Sequence, residues 1–210
     1  MDIKTVVKDL AKKYSNSLKR VMDDRIAEME SDENSHYLIY RVLGIADQEG
    51  KLIDVYQNKG RFLYKYAGSF LEEASILCFE HTFSKAKRKV RIPNKTGLRP
   101  KTFEIDCLIG KEAYELKWKD ATTDGDHITK EHARLKTIKE AGYTPIRVMF
   151  YYPNRTQAIR IQESLQTMYK GMDGKYFFGN AAWNFIKEKT KVDLKGILSE
   201  IAEENIKSKK

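Results

Sequence analysis

Cysteine is scarce in this chain: Cys78 and Cys107 are the only two, each in apolar surroundings. That excludes a disulfide framework and a multi-cysteine zinc site, and suits reduced core thiols. No apolar run approaches the ~18 residues that a membrane-spanning helix needs. The opening MDIKTVVKDL lacks the apolar centre of a secretory signal. A cytoplasmic protein with no membrane partner is therefore expected. Internal repeats and low-complexity linkers are also missing, so the 210 residues are read as a single domain, 1–210.

What is present is positive charge and a normal core composition. Hydrophobic residues make up 41% and charged residues 33%, which excludes a disordered chain. The net charge of +9 points to a polyanionic partner, though a membrane surface or plain solubility is compatible with it. The densest basic stretch is 84–101. It holds Lys85, Lys87, Arg88, Lys89, Arg91, Lys95, Arg99 and Lys101 with no acid among them. Lys89 to Ile92 alternates, so a strand there presents a basic face, followed by a loop punctuated by Pro and Gly. Phosphate contacts are assigned to this stretch in preference to an idle solvated face.

Residues 103–117, FEIDCLIGKEAYELK, organise the rest. Residues 103–109 are rich in β-branched and apolar side chains, Gly110-Lys111 supplies a reversal, and 112–118 alternates again. Successive side chains of a strand face opposite sides, so Glu115 and Lys117 share a face and Tyr114, Leu116 and Trp118 the other. Pairing through the turn brings Asp106 opposite Glu115 and Lys117. Two carboxylates and an ammonium suit metal-dependent phosphodiester chemistry: hard oxygen ligands hold Mg²⁺, and the Lys orients water or stabilises developing charge. A hairpin whose charges merely face water has the same alternation.

Ile105-Asp106, eight intervening residues, then Glu115-Leu116-Lys117 resembles the PD-(D/E)xK nuclease signature, with Ile where Pro is usual. With residues 118–127, WKDATTDGDH, the chain is similar to type II restriction endonucleases, in particular the ApaLI-like group. The resemblance implies an α/β fold with a mixed central β-sheet flanked by helices, plus extra helices at both ends. It implies Mg²⁺-dependent, sequence-specific hydrolysis of double-stranded DNA that leaves 5′-phosphate ends. It also implies a homodimer, since cutting both strands of a palindrome takes two sites about a twofold axis. Asp106 and Glu115 become metal ligands, with the Leu116 carbonyl as a further one, and Lys117 positions or deprotonates water. In this family an acid on a preceding helix often completes the site, a part that falls to Glu72 or Glu73. Glu72 is favoured, because adjacent helix residues point ~100° apart. Within the domain, 1–35 is a helical extension, 60–155 the catalytic core, and 156–210 the C-terminal helices.

Around this centre, apolar residues at steps of three and four predict a helix over 3–29, with a break near Ser15-Asn16-Ser17, and another over 62–83. Residues 36–45 are ambiguous between helix and strand, and Asp47-Gln48-Glu49-Gly50 is read as a turn. Residues 120–127 form a polar loop in which Thr122, Thr123, Asp124, Asp126 and His127 are candidates to contact DNA, beside Lys119. The same residues, with Glu131, nearly match an EF-hand calcium loop, which requires a helix where a strand is predicted. A helix over 128–141 carries Lys130 and Arg134 on one face, both assigned to DNA. The apolar run 146–152 predicts a central strand parallel to the one before the helix. Asn154 is the expected N-cap of a helix to about 170, 171–179 a loop, and 180–206 one or two helices. Two other readings stand beside the restriction enzyme. One is a structure- or damage-specific nuclease of the same superfamily, and the other a non-catalytic basic DNA-binding module.

Overall fold

A computed structural model describes residues 2–95, 100–120, 122 and 126–207. They form two units: residues up to Val7 together with those from Leu71 onward, and Lys8–Phe70 between them. Helix α1 runs Ile3–Glu30, α2 Tyr37–Val42 and α3 Asp47–Thr82. Strands β1 Lys87–Pro93, β2 Thr102–Ile109 and β3 Glu112–Lys119 follow, then α4 Asp126–Glu140 and β4 Thr144–Tyr151. The chain continues through α5 Thr156–Gly171, β5 Lys175–Phe178, α6 Asn180–Thr190 and α7 Leu194–Lys207.

The five strands make one mixed sheet in the order β1-β2-β3-β4-β5. β1, β2 and β3 are antiparallel neighbours, while β3, β4 and β5 run parallel. The α/β class and the parallel β3–β4 pair are as expected from a strand-helix-strand sequence. Alternation decides the two faces. Tyr114 of β3 packs on Phe79 of α3 and Phe185 of α6, Phe177 of β5 stacks on Phe185, and Phe150 of β4 meets Trp183 of α6. Arg147 of β4 and Tyr176 of β5 turn instead to the side of α4 and α5. Cys78 and Cys107 are free and buried, and burial pushes both thiols up to about 12. Among the described residues no helix is long and apolar enough to cross a membrane.

Several elements differ from expectation. α1 is unbroken at Ser15-Asn16-Ser17, because Ser15 and Asn16 lie on its exposed side, where small polar residues cost little. The expected turn at Asp47-Gln48-Glu49-Gly50 is the first turn of α3, where Asp47 and Glu49 suit the positive end of the helix dipole. Gly50 is there for packing, since a Cβ would lie 2.5 Å from the Tyr40 ring. Residues 37–42 resolve as helix. α5 is capped at Arg155 rather than Asn154, with no side-chain cap hydrogen bond. The expected loop 171–179 contains β5. Gly171, Gly174 and Gly179 disguise a four-residue aromatic strand, and Gly174 is needed because a Cβ would sit 2.6 Å from the Pro145 carbonyl oxygen.

Candidate active site

β2 and β3 pair only near their connecting turn, at Cys107–Tyr114, Leu108–Ala113 and Ile109–Glu112. Beyond that the strands diverge, and the predicted residues meet in the fork. Asp106, 6% exposed, accepts a hydrogen bond from the Leu116 backbone N–H through Oδ2 at 2.8 Å. A side chain thus takes the place of the next ladder bond and seats Asp106 between Glu115 and Lys117. Glu115, 4% exposed, lies 2.6 Å from the Lys117 ammonium through Oε1 and forms an ion pair with Arg134.

Burial raises the Asp106 pKa to about 7, with the Glu115 charge adding to it, while Lys117 opposes. Burial also works against ionisation of Glu115, but Lys117, then Arg134 and Arg147, outweigh it and hold this carboxyl well below the usual range. Two neighbouring carboxylates therefore behave oppositely. Glu115 is neutralised by the protein, and Asp106 is left short of positive charge. Among the described residues no three His, Cys, Asp or Glu side chains are arranged to hold a metal. Asp106 and Glu115 nevertheless fit Mg²⁺, which takes few protein oxygens and leaves the rest of its shell to water and phosphate.

Glu72 and Glu73 part as helical geometry requires. Glu72 forms an ion pair with Lys89 and adds to the field on Asp106, whereas Glu73 lies 3.9 Å from Arg88. The basic stretch, free of acids in sequence, is compensated in space. Arg88 is held by Glu80 (Nε to Oε1 2.8 Å) and Arg91 approaches Glu104 at 3.4 Å. Lys87, Lys95 and Lys101 are exposed, as are Lys119, Asp126 and Lys130. Arg99, Thr123 and Asp124 lie outside the described residues. Arg134 does not share a DNA-facing surface with Lys130: it turns inward onto Glu115, where a buried carboxylate demands a countercharge.

Behind the fork lies a lattice of alternating charge that sequence reasoning missed. Arg147, 0% exposed, donates to Asp120 Oδ2 at 2.6 Å and to Glu131 Oε2 at 3.3 Å. Glu131 Oε1 is 3.7 Å from Arg134, and His127 Nε2 is 3.1 Å from Asp120 Oδ2. Gln162 donates to the Asp120 carbonyl at 3.4 Å and accepts from Tyr176 at 2.6 Å. Glu115, Arg134, Glu131, Arg147, Asp120 and His127 thus form one connected chain. The Thr122 N–H also donates to Asp120, at 3.3 Å. The calcium-loop reading fails here: β3 stands where an entering helix is required, and Asp120 and Glu131 are committed to Arg147. The signal for the lattice was available in one place, a lone Arg inside the apolar run IRVMFYY.

Comparison with known proteins adds a single finding. No curated protein and no solved structure matches. The model of the ApaLI-like restriction endonuclease family matches residues 1–203, nearly the whole chain. The chain therefore belongs to the ApaLI-like restriction endonuclease family, a group of DNA-cleaving hydrolases.

Proposed function

We propose that this chain is a type II restriction endonuclease that uses a PD-(D/E)xK site and Mg²⁺ to hydrolyse double-stranded DNA at a specific sequence in the cytoplasm, leaving 5′-phosphate ends. The observation that supports it most is the meeting of Asp106, Glu115 and Lys117 in the β2–β3 fork, with Asp106 tied to the backbone between the other two. Asp106, Glu115 and the Leu116 carbonyl would hold the metal, which supplies an acidified water and offsets developing charge on phosphate. Glu72, whose charge adds to the field on Asp106, is the acid that the preceding helix contributes near the site without joining the metal's ligands. Lys117, held as an ammonium by Glu115, orients the attacking water and offsets the charge that develops on the phosphate. Arg134 fixes the Glu115 carboxylate. Exposed Lys87, Lys95, Lys101, Lys119 and Lys130 contact backbone phosphates together with Arg88, Lys89 and Arg91 of β1, while Thr122, Asp126 and His127 contact DNA beside β3.

The test is incubation of unmethylated plasmid or phage DNA with the purified protein, in Mg²⁺ and in EDTA. Discrete fragments only with Mg²⁺ are expected. Intact linear DNA with cleavage of branched or damaged substrates would replace this reading with a structure-specific nuclease. A gel shift without any cutting would reduce it to a binding module.

A homodimer belongs to the same proposal, and its support lies in Lys8–Phe70. Leu52, Ile53, Tyr56, Leu63 and Tyr64 of α3 are all exposed, Tyr56 by 67%. At ~100° per residue they fall within about 120° of the helix circumference, one continuous apolar stripe. Leu38, Ile39 and Val42 form a similar face on α2, with Val42 73% exposed. Gly60 lies in the α3 stripe, and a Cβ there would meet nothing in this chain within 4 Å. A helix-interior Gly costs about 1 kcal/mol relative to Ala, and here it leaves room for close approach by another helix. Residues 8–70 carry 11 Lys and Arg against 10 Asp and Glu, so only +1 of the chain's +9 resides there. That balance favours a second copy of this chain over a polyanion. Light scattering should give twice the 24.4 kDa of the chain, and Tyr56→Glu with Leu63→Glu should return a folded monomer. A dimer that survives both changes would move the interface elsewhere.

A further inference from the structure

The acidic cluster of the fork contains an ammonium that neither the motif nor the proposed chemistry uses. Lys89 lies in β1 opposite Asp106, between the pairs Arg88–Cys107 and Val90–Ile105, and its own rung is absent from the β1–β2 pairing. Its φ is +54°, in the left-handed region, inside a strand. Lys has no aptitude for that conformation, which is normally left to Gly or Asn. The backbone twist carries the side chain into the fork. There Nζ forms an ion pair with Glu72 and lies 3.5 Å from Glu104 Oε1 and 4.0 Å from Asp106 Oδ1. Strain held at such a position signals a functional constraint.

We propose that Lys89 is the resident counter-cation of this site: its ammonium holds Glu72, Glu104 and Asp106 together in the metal-free protein and must move aside for a divalent ion to bind. The inference rests on the metal reading above and concerns how the site passes between two charge states. One ammonium among three carboxylates leaves the cluster net negative, so it tempers the repulsion without removing the attraction for a divalent ion. Lys117 acts on Asp106 as well, but it is paired with Glu115 and makes no ion pair with Glu72 or Glu104 among the described residues. Arg134 is paired with Glu115 too. Lys89 can leave: its side chain is 46% exposed and swings on a four-carbon stem. Once displaced, the ammonium stands at the rim of the fork, where an incoming phosphate of DNA offers it a new partner. DNA and metal would then assist each other, each favouring the withdrawn position of one side chain. Lys89 is a positioning residue in this scheme, and its first effect falls on metal affinity.

The test is Mn²⁺ binding to the full-length protein without DNA, followed by electron paramagnetic resonance at fixed pH. Lys89→Met should bind Mn²⁺ about tenfold more tightly than wild type, the scale expected for deleting one unit charge ~4 Å away at a half-exposed site. Lys89→Arg should stay near wild type. In EDTA the Met variant should melt below wild type, and saturating Mn²⁺ should close the gap. Lys89→Gly suits the positive φ and serves the same comparison if the Met variant does not fold. Equal or weaker Mn²⁺ affinity in a folded variant overturns the proposal and leaves the metal reading intact. A wild-type chain that binds no Mn²⁺ overturns the metal reading, and the melts in EDTA still decide whether Lys89 holds the carboxylates together.

Discussion

Asp106→Asn should make the metal-free protein more stable while destroying its activity. The native carboxyl is displaced from 3.8 to about 7, chiefly by burial. Because the native pKa lies above the unfolded one, the wild type has its full stability below pH 3.8 and loses it progressively as pH rises to about 7. At about 1.36 kcal/mol per pKa unit the loss reaches a ceiling of about 4 kcal/mol by pH 8. Exposure of only 6% means solvent screening does little to reduce it. Asn keeps an oxygen for the Leu116 N–H, but it brings an NH₂ group beside the Lys89 ammonium. About half of the ceiling, roughly 2 kcal/mol, is the expected net gain at pH 8. Denaturant unfolding in EDTA at pH 8 and pH 5 is the assay. The gain should be nearly gone at pH 5, where the wild-type carboxyl is largely protonated in the native state. A variant less stable than wild type at pH 8, or a gain equal at both pH values, would refute the reasoning that Asp106 is short of positive charge.

Lys117→Ala should abolish cleavage and preserve DNA binding in a gel shift; cutting near the wild-type rate would remove Lys117 from the site. Arg147→Ala removes the buried cation that Asp120 and Glu131 share and leaves them only His127 and Arg134, and a loss of about 3 kcal/mol is expected by chemical denaturation. A loss below about 1 kcal/mol would mean that water reaches those carboxylates. Replacing Lys87, Lys95 and Lys101 together should weaken binding to all sequences alike and lower the salt slope by about 0.9 for each phosphate no longer neutralised. An unchanged slope would place the phosphate-binding surface elsewhere.

The hairpin, and the meeting of Asp106, Glu115 and Lys117 in it, were legible because period-2 alternation, a Gly turn and a charged triplet all fall within fifteen residues. The parallel β3–β4 pair was legible from the order of elements. Partners brought from a distance were not. The stretch 84–101 contains no acid, yet Glu72, Glu80 and Glu104 reach Lys89, Arg88 and Arg91 from α3 and β2. Counting charge along a segment cannot see this. Arg134 looked like a surface cation because Lys130 lies one turn away, but a buried Glu115 claims it. β5 was hidden by three glycines, of which Gly174 serves close packing and Gly179 a positive φ rather than looping. Lys89 was visible as a charge, but its left-handed backbone was not, since no local rule places Lys there.

The charged lattice behind the fork also anchors both ends of one segment. Asp120 leaves β3 fastened to Arg147, and His127 returns to the same Asp120 at 3.1 Å. Asp120 after β3 and His127 in the first turn of α4 are thus clamped to each other and, through Arg147, to the sheet. Closure entropy changes slowly with loop length, so sequence and length between those two residues can be exchanged while the base stays clamped. Grafting a different segment between Asp120 and His127 should leave the melting temperature nearly unchanged. Under the DNA contacts proposed for this span, such grafts would alter target preference without rebuilding the chemistry, and each can be judged first by its melt and then by its fragment pattern.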